Sequence, residues 1–204
     1  VMVTGGNITP GSRPVDSQFE VKTVTNIVAL AKQYGFHVAA HCHGTDGIRQ
    51  AASAGVTTVE HCSWVGESGW GKDFDTAVVS LMANNGVWVS PTINVGWKRF
   101  TQKVFIEMMQ QNYRKMKEAG IRLIASTDAG IPNVFHHDLP RALPIFAHFA
   151  GLSAVEALRA ATSDCAEAIG LGGITGLIRP GYSADFVLYE EDPLLNLEVL
   201  EKPF

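Results

Sequence analysis

Cysteine is scarce in this sequence: Cys42, Cys62 and Cys165 make an odd count with no C-x-x-C spacing. That excludes a disulfide framework and a zinc ribbon, and it fits a reducing compartment such as the cytoplasm. Positive charge is short as well, with 16 Lys and Arg against 20 Asp and Glu for a formal net charge of -4. With no basic run or stripe, nucleic acid is not expected as a partner. No stretch approaches the roughly 18 unbroken apolar residues of a membrane span, and the N-terminus carries neither a basic nor an apolar signal region, so no membrane partner is expected. Low-complexity segments are absent. What remains is a chain of 204 residues, 46% apolar and 18% charged, a composition that buries a core. At about 100 to 200 residues per domain, the length allows one domain, or one plus a fragment.

The strongest internal pattern is a junction that recurs four times, in which a helix-patterned segment ends in glycine and an apolar run follows. Gly35 precedes residues 36–40, Gly55 precedes 56–60, Gly86 precedes 87–90 and Gly120 precedes 121–125. Glycine suits the residue just past a helix, where the backbone turns left-handed, and short loops of this kind join helices to strands in α/β units. The segments before the glycines have helical spacing: Val21, Val24, Ile27, Val28 and Ala31; Phe74, Val78, Leu81 and Met82; and Val104, Phe105, Met108, Met109, Tyr113 and Met116. Strands alternating with such helices predict βαβ units and a parallel sheet. Val1 to Val3 reads as the tail of an earlier strand whose start lies upstream, giving five strands in all. After Asp128 the pattern turns helical, with a helix over 139–149 and a second, opened by the capping box Ser153 and Glu156, running to about Ile169. A Gly- and Pro-rich stretch follows, then a short strand at 185–189.

In parallel α/β sheets the chemistry lies beyond the C-terminal strand ends. Those ends carry His41-Cys42-His43, His61, Pro91-Thr92 and Ser126-Thr127-Asp128. His41, His61 and Asp128 form a metal-ligand set, because neutral imidazole and carboxylate are the usual protein ligands of catalytic zinc, and three ligands leave a position for water. Asp128 is also placed to take a proton from that water and pass it on. Each of these histidines also has a plainer reading as a hydrogen-bonded core residue. His43 is either a substrate contact or a solvated loop residue. One of His136 and His137, in the loop after the fifth strand, is a further substrate candidate, although a helix-entry role for Asp138 explains that loop equally well. Asn94 and Trp97 are pocket candidates. His37 and His148 read as structural or surface residues, and Cys42 and Cys62 as packed thiols pointing away from the neighbouring ligands.

Four motifs in order, V-A-A-H-C-H-G at 38–44, V-E-H-C at 59–62, S-T-D-A-G at 126–130 and G-L-I-R-P-G-Y-S-A-D-F-V-L-Y at 176–189, resemble the amidohydrolase superfamily. The resemblance is to the branch of imidazolonepropionase-like proteins and binuclear-zinc dipeptidases such as the Xaa-Pro and Xaa-Arg peptidases. It implies an α/β fold: a partial TIM (β/α)8 barrel, about strands 4 to 8, over 1–170, with 171–204 as a piece of a small β-sandwich. It implies that His41 and His61 ligate zinc at the ends of strands 5 and 6 and that Asp128 ligates and relays protons; His43, His137 and Asn94, from their places past the strand ends, are the candidates to contact an amide or dipeptide substrate. One or two divalent ions are expected. In this family a bridging lysine immediately precedes a run like Val1 to Gly6, so it is expected one residue upstream of Val1, and the H-x-H pair of strand 1 is absent. The missing barrel half would come from an upstream segment or another chain, with a homo-oligomer as one form. The activity implied is hydrolysis of a C–N amide bond. Its rivals are a mononuclear deaminase or cyclic-amide hydrolase of the same superfamily, and an inactive fragment that needs its N-terminal half.

Overall fold

The computed structural model describes residues 1–204. They form two compact units, Val1–Pro91 with Lys115–Leu123, and Thr92–Arg114 with Ile124–Phe204.

The first unit is built on a three-stranded parallel sheet in the order β1-β2-β3, with β1 at Ala39–Gly44, β2 at Thr58–Val65 and β3 at Trp88–Ser90. Helix α1 (Val21–Gln33) leads into β1, α2 (Thr45–Ala54) joins β1 to β2, and α3 (Thr76–Asn84) joins β2 to β3. All four junction glycines adopt positive φ, between 65° and 90°. A side chain there would cost roughly 1–2 kcal/mol in the left-handed region, so the recurring glycine is a backbone requirement. The apolar stripe of α2 places Ile48, Ala51 and Ala52 in the core at 0% exposure, and β2 contributes Val59, Cys62 and Trp64, also at 0%. Small residues let α2 lie close to the sheet: a Cβ on Gly47 would collide with the Thr4 side chain.

Two of the five expected strands are reduced to single parallel bridges. Met2 bridges His41 on the outer side of β1, and Leu123 bridges Val89 on the outer side of β3. Each sits beside the neighbour that alternating β and α segments dictate, but an edge position offers one partner, and the pairing is too short for a ladder. The first junction strand begins later than its apolar run, because Phe36 is 70% exposed and pairing starts at Ala39.

The second unit is helical. It contains α5 (Leu139–Ala150), α6 (Ala154–Ala161) and α7 (Ser163–Ala168), while α4 (Lys103–Glu118) begins in it. Trp97, Phe100, Phe105 and Phe149 pack as an aromatic group with centroid separations from 4.9 to 6.4 Å. The expected capping box is present, since the Ser153 Oγ accepts from the Glu156 N–H and the Glu156 carboxylate accepts from the Ser153 N–H. The helix it starts stops at Thr162, whose φ of -127° and ψ of -93° interrupt the spiral, and α7 follows as a separate segment. Residues 185–189 are not a strand here; Phe186, Val187 and Leu188 are exposed, and the Leu188 carbonyl accepts from the Phe204 N–H at 2.8 Å. No helix is long and apolar enough to cross a membrane.

Candidate metal centre

Alternation along β1 puts His41 and His43 on one face and turns Cys42 to the other, where it is fully buried. In the ladder Cys42 pairs with His61, and beyond that pair the register shifts. His61, Cys62 and Trp64 all have positive φ, at 65°, 49° and 50°. Pairing is thus regular up to His61 and irregular after it, so the candidate histidines sit where the ladder breaks, inside β1 and β2 rather than after them.

The three imidazoles meet. His41, His43 and His61 each offer a ring nitrogen within 4.8 Å of the others, and their ring centroids lie 4.3 to 4.7 Å apart. His61 Nε2 is 2.9 Å from His41 Nδ1. Nε2 of His41 lies 3.2 Å from the Gly5 carbonyl oxygen. A carbonyl can only accept, so that nitrogen carries a proton, and in the neutral ring Nδ1 keeps its lone pair and accepts from Nε2–H of His61. A backbone carbonyl fixing the far N–H is the usual support of a metal-ligating histidine. Burial and then the neighbouring imidazoles push the pKa of His43 down to about 2, and burial followed by His41 takes His61 down to about 3. Both rings are therefore neutral at pH 7. Neutral imidazole is a donor that zinc takes, and tetrahedral zinc needs N···N separations of about 3.3 Å, which the His41–His61 pair at 2.9 Å approaches.

The structure also shows neighbours that the motifs did not single out. The Ser63 Oγ is 3.0 Å from Nδ1 of His43, the Thr4 Oγ accepts from the His43 N–H at 3.0 Å, and Trp70 meets the His43 ring edge-on at 5.1 Å. Ser63 carried a usable signal, because it stands two residues from His61 on the same strand. Thr4 lies in the Val1 to Gly6 run that the resemblance already marked, although no site role was read from it, and Trp70 lies outside every motif and carried no signal. Cys42 and Cys62 are both fully buried, and burial raises both thiol pKa values, which leaves them packed thiols rather than nucleophiles.

The remaining candidates belong to the second unit. Asp128 is exposed and has φ of 60°. Asn94 is buried and caps the short 3-10 turn at Val95–Arg99: its Oδ1 accepts from the Gly96 N–H at 2.9 Å, and its amide donates to the Thr127 carbonyl at 3.1 Å. His137 is exposed and stacks on Phe135 at 5.5 Å. The neighbouring Asp138 is 1% exposed and accepts from the Phe135 N–H at 2.8 Å, closing the short 3-10 turn at His136–Asp138; at the N-cap of α5 it makes no side-chain cap bond, so the helix-entry role weighed for it is not the one it fills. Trp97 lies in the aromatic group.

The model of the amidohydrolase family matches residues 4–204. The chain belongs to the amidohydrolase family. This amidohydrolase chain is 26% identical over 215 residues to ochratoxinase of Aspergillus niger, covering 100% of this chain and 42% of that protein. It is 27% identical over 180 residues to imidazolonepropionase of Chloroflexus aggregans, covering 85% and 38%. Among solved structures it resembles a Xaa-Pro dipeptidase with methionine bound in the active site, with a TM-score of 0.80, 27% identity and coverage of 99% of this chain and 50% of that one. It also resembles the A. niger ochratoxinase crystal structure, with a TM-score of 0.78 and coverage of 98% and 46%. The branch read from the four motifs is the one these relatives occupy. The chain spans less than half the length of these curated relatives.

Proposed function

We propose that this chain is part of a metal-dependent hydrolase that cleaves a C–N amide bond, with a dipeptide or an N-acyl amino acid as substrate. The observation that carries the reading is the cluster of three imidazoles in which the Gly5 carbonyl sets His41 in its ligand tautomer. His41 and His61 would hold one or two divalent ions, zinc being the ion that suits their donors, and the Ser126-Thr127-Asp128-Ala129-Gly130 motif nominates Asp128 as a further ligand. A divalent ion bound there lowers the pKa of water from 15.7 toward about 7 and polarises a carbonyl. Asp128 would accept a proton on its carboxylate and deliver it to the departing amine nitrogen. His43, with Asn94 and His137, would contact the substrate. We read 1–170 as strands 4 to 8 of a (β/α)8 barrel and 171–204 as part of a β-sandwich. The parallel order β1-β2-β3, its flanking bridges and the partial coverage of the relatives support that reading.

The likeness to imidazolonepropionase favours one second reading, a mononuclear enzyme that opens a cyclic amide. Elemental analysis of the full-length protein after native purification tests both. One or more equivalents of zinc or another divalent metal are expected, lost in His61→Ala; two equivalents favour the dipeptidase reading and one favours the ring hydrolase. Less than one equivalent overturns both.

A further inference from the structure

Ser63 and His43 are both buried, at 8% and 6% exposure, and the Ser63 Oγ lies 3.0 Å from Nδ1 of His43. A bond at that distance runs in one of two directions, and each direction gives the imidazole a different role. If Nδ1–H donates to Oγ, Nε2 is left with a lone pair and His43 is a metal ligand. If the hydroxyl donates to Nδ1, Nε2 carries the hydrogen and His43 is a donor. A buried hydroxyl hydrogen without an acceptor costs roughly 1–3 kcal/mol, and Nδ1 of His43 is the acceptor within reach of Oγ. The direction in which Ser63 donates pairs the hydroxyl hydrogen with Nδ1 and leaves Nε2–H turned to a group from outside the cluster, whereas the other direction strands the hydroxyl hydrogen beside Nδ1. His41 is the contrast within the same cluster: its support is a carbonyl, which can only accept and therefore frees a lone pair. The His43 backbone is held as well, through the bond from its N–H to the Thr4 Oγ.

We propose that the Ser63 hydroxyl, by donating to Nδ1, locks His43 as its Nε2–H tautomer and makes it a hydrogen-bond donor to a substrate oxygen rather than a third metal ligand. This rests on the reading of His41 and His61 as metal ligands, and it makes Ser63 a positioning residue for the same site.

The test is long-range 15N–1H correlation spectroscopy on the metal-free full-length protein labelled at histidine nitrogens, with the His43 signal assigned by its absence in His43→Gln. The wild type should show His43 as Nε2–H, Ser63→Ala should lose that single tautomer, and Ser63→Thr should restore it. In the metal-loaded enzyme Ser63→Ala should keep the wild-type metal content while kcat/KM falls about 10- to 100-fold, with recovery in Ser63→Thr. An Nδ1–H or doubly protonated ring in the wild type overturns the proposal without needing any variant to fold. So does loss of metal in Ser63→Ala to the extent seen in His61→Ala. A wild-type protein that binds no metal sinks the hydrolase reading instead, and the tautomer of the metal-free protein still decides the role of Ser63.

Discussion

His61 holds a backbone conformation that strands avoid, φ of 65° in a residue with a side chain, and Asp128 does the same at φ of 60°. Such a position costs on the order of 1–3 kcal/mol and persists only where the surroundings impose it. At His61 the imposed turn coincides with the break in the β1-β2 register, and the ring it redirects lies 4.5 Å from His41 and 4.3 Å from His43. Asp128 stands in the Ser126–Gly130 motif, and its proposed role is that of a proton carrier. If it moves the proton, Asp128→Asn keeps size and shape but removes the base, and kcat of the full-length enzyme should fall by about 10²- to 10⁴-fold. Circular dichroism should be unchanged. Wild-type kcat in this variant would remove Asp128 from the mechanism.

The elements were legible where a local rule sufficed. Helical spacing before Gly35, Gly86 and Gly120 located α1, α3 and α4, and Ser153 with Glu156 marked the start of α6. What escaped was decided by neighbours: Val104 fits the helical stripe of α4 yet is 80% exposed, and residues 185–189 have the composition of a strand yet form no ladder. A cap also went unread. The Asp75 carboxylate accepts from the Ala77 N–H at 2.8 Å and the Val78 N–H at 3.2 Å, and it takes a bond from Arg49 at 2.9 Å. The Arg49 hydrogen bond, followed by the Val78 N–H, lowers its pKa. Asp75→Ala should therefore destabilise the full-length protein by about 1 kcal/mol at pH 7. The sign follows from linkage. A carboxylate whose folded pKa lies below its unfolded value contributes stability above about pH 4, and loses it as pH falls through the folded pKa. Urea midpoints of wild type and variant should thus differ at pH 7 and converge as pH falls through the lowered pKa of the folded state. A difference that persists in acid would mean that the ionised cap is not its source.

At the scale of the whole molecule, the two histidines needed for a ligand pair were legible because H-C-H and V-E-H-C both fall where apolar runs end. The bonds that hold His43 beside them were not, because Ser63 on β2 and Thr4 near the N-terminus reach it from separate segments, while the Gly5 carbonyl next to Thr4 meets His41. His43 and His61 are neutral rings packed against His41, and a divalent ion is a ligand that the ring nitrogens of such a cluster can take up. Metal should accordingly stabilise the folded protein by mass action, by about 2.7 kcal/mol at a free concentration 100 times Kd. For a domain of 150–250 residues, 1 kcal/mol moves Tm by about 2–4 °C, so stripping the metal should lower Tm by about 5 °C or more. The measurement is calorimetry of the full-length protein before and after chelation, with zinc added back. Tm should fall and return, and in a His41→Ala, His61→Ala double variant it should respond to neither treatment. A wild-type Tm indifferent to chelator, or a double variant that still responds, would put the metal somewhere other than between β1 and β2.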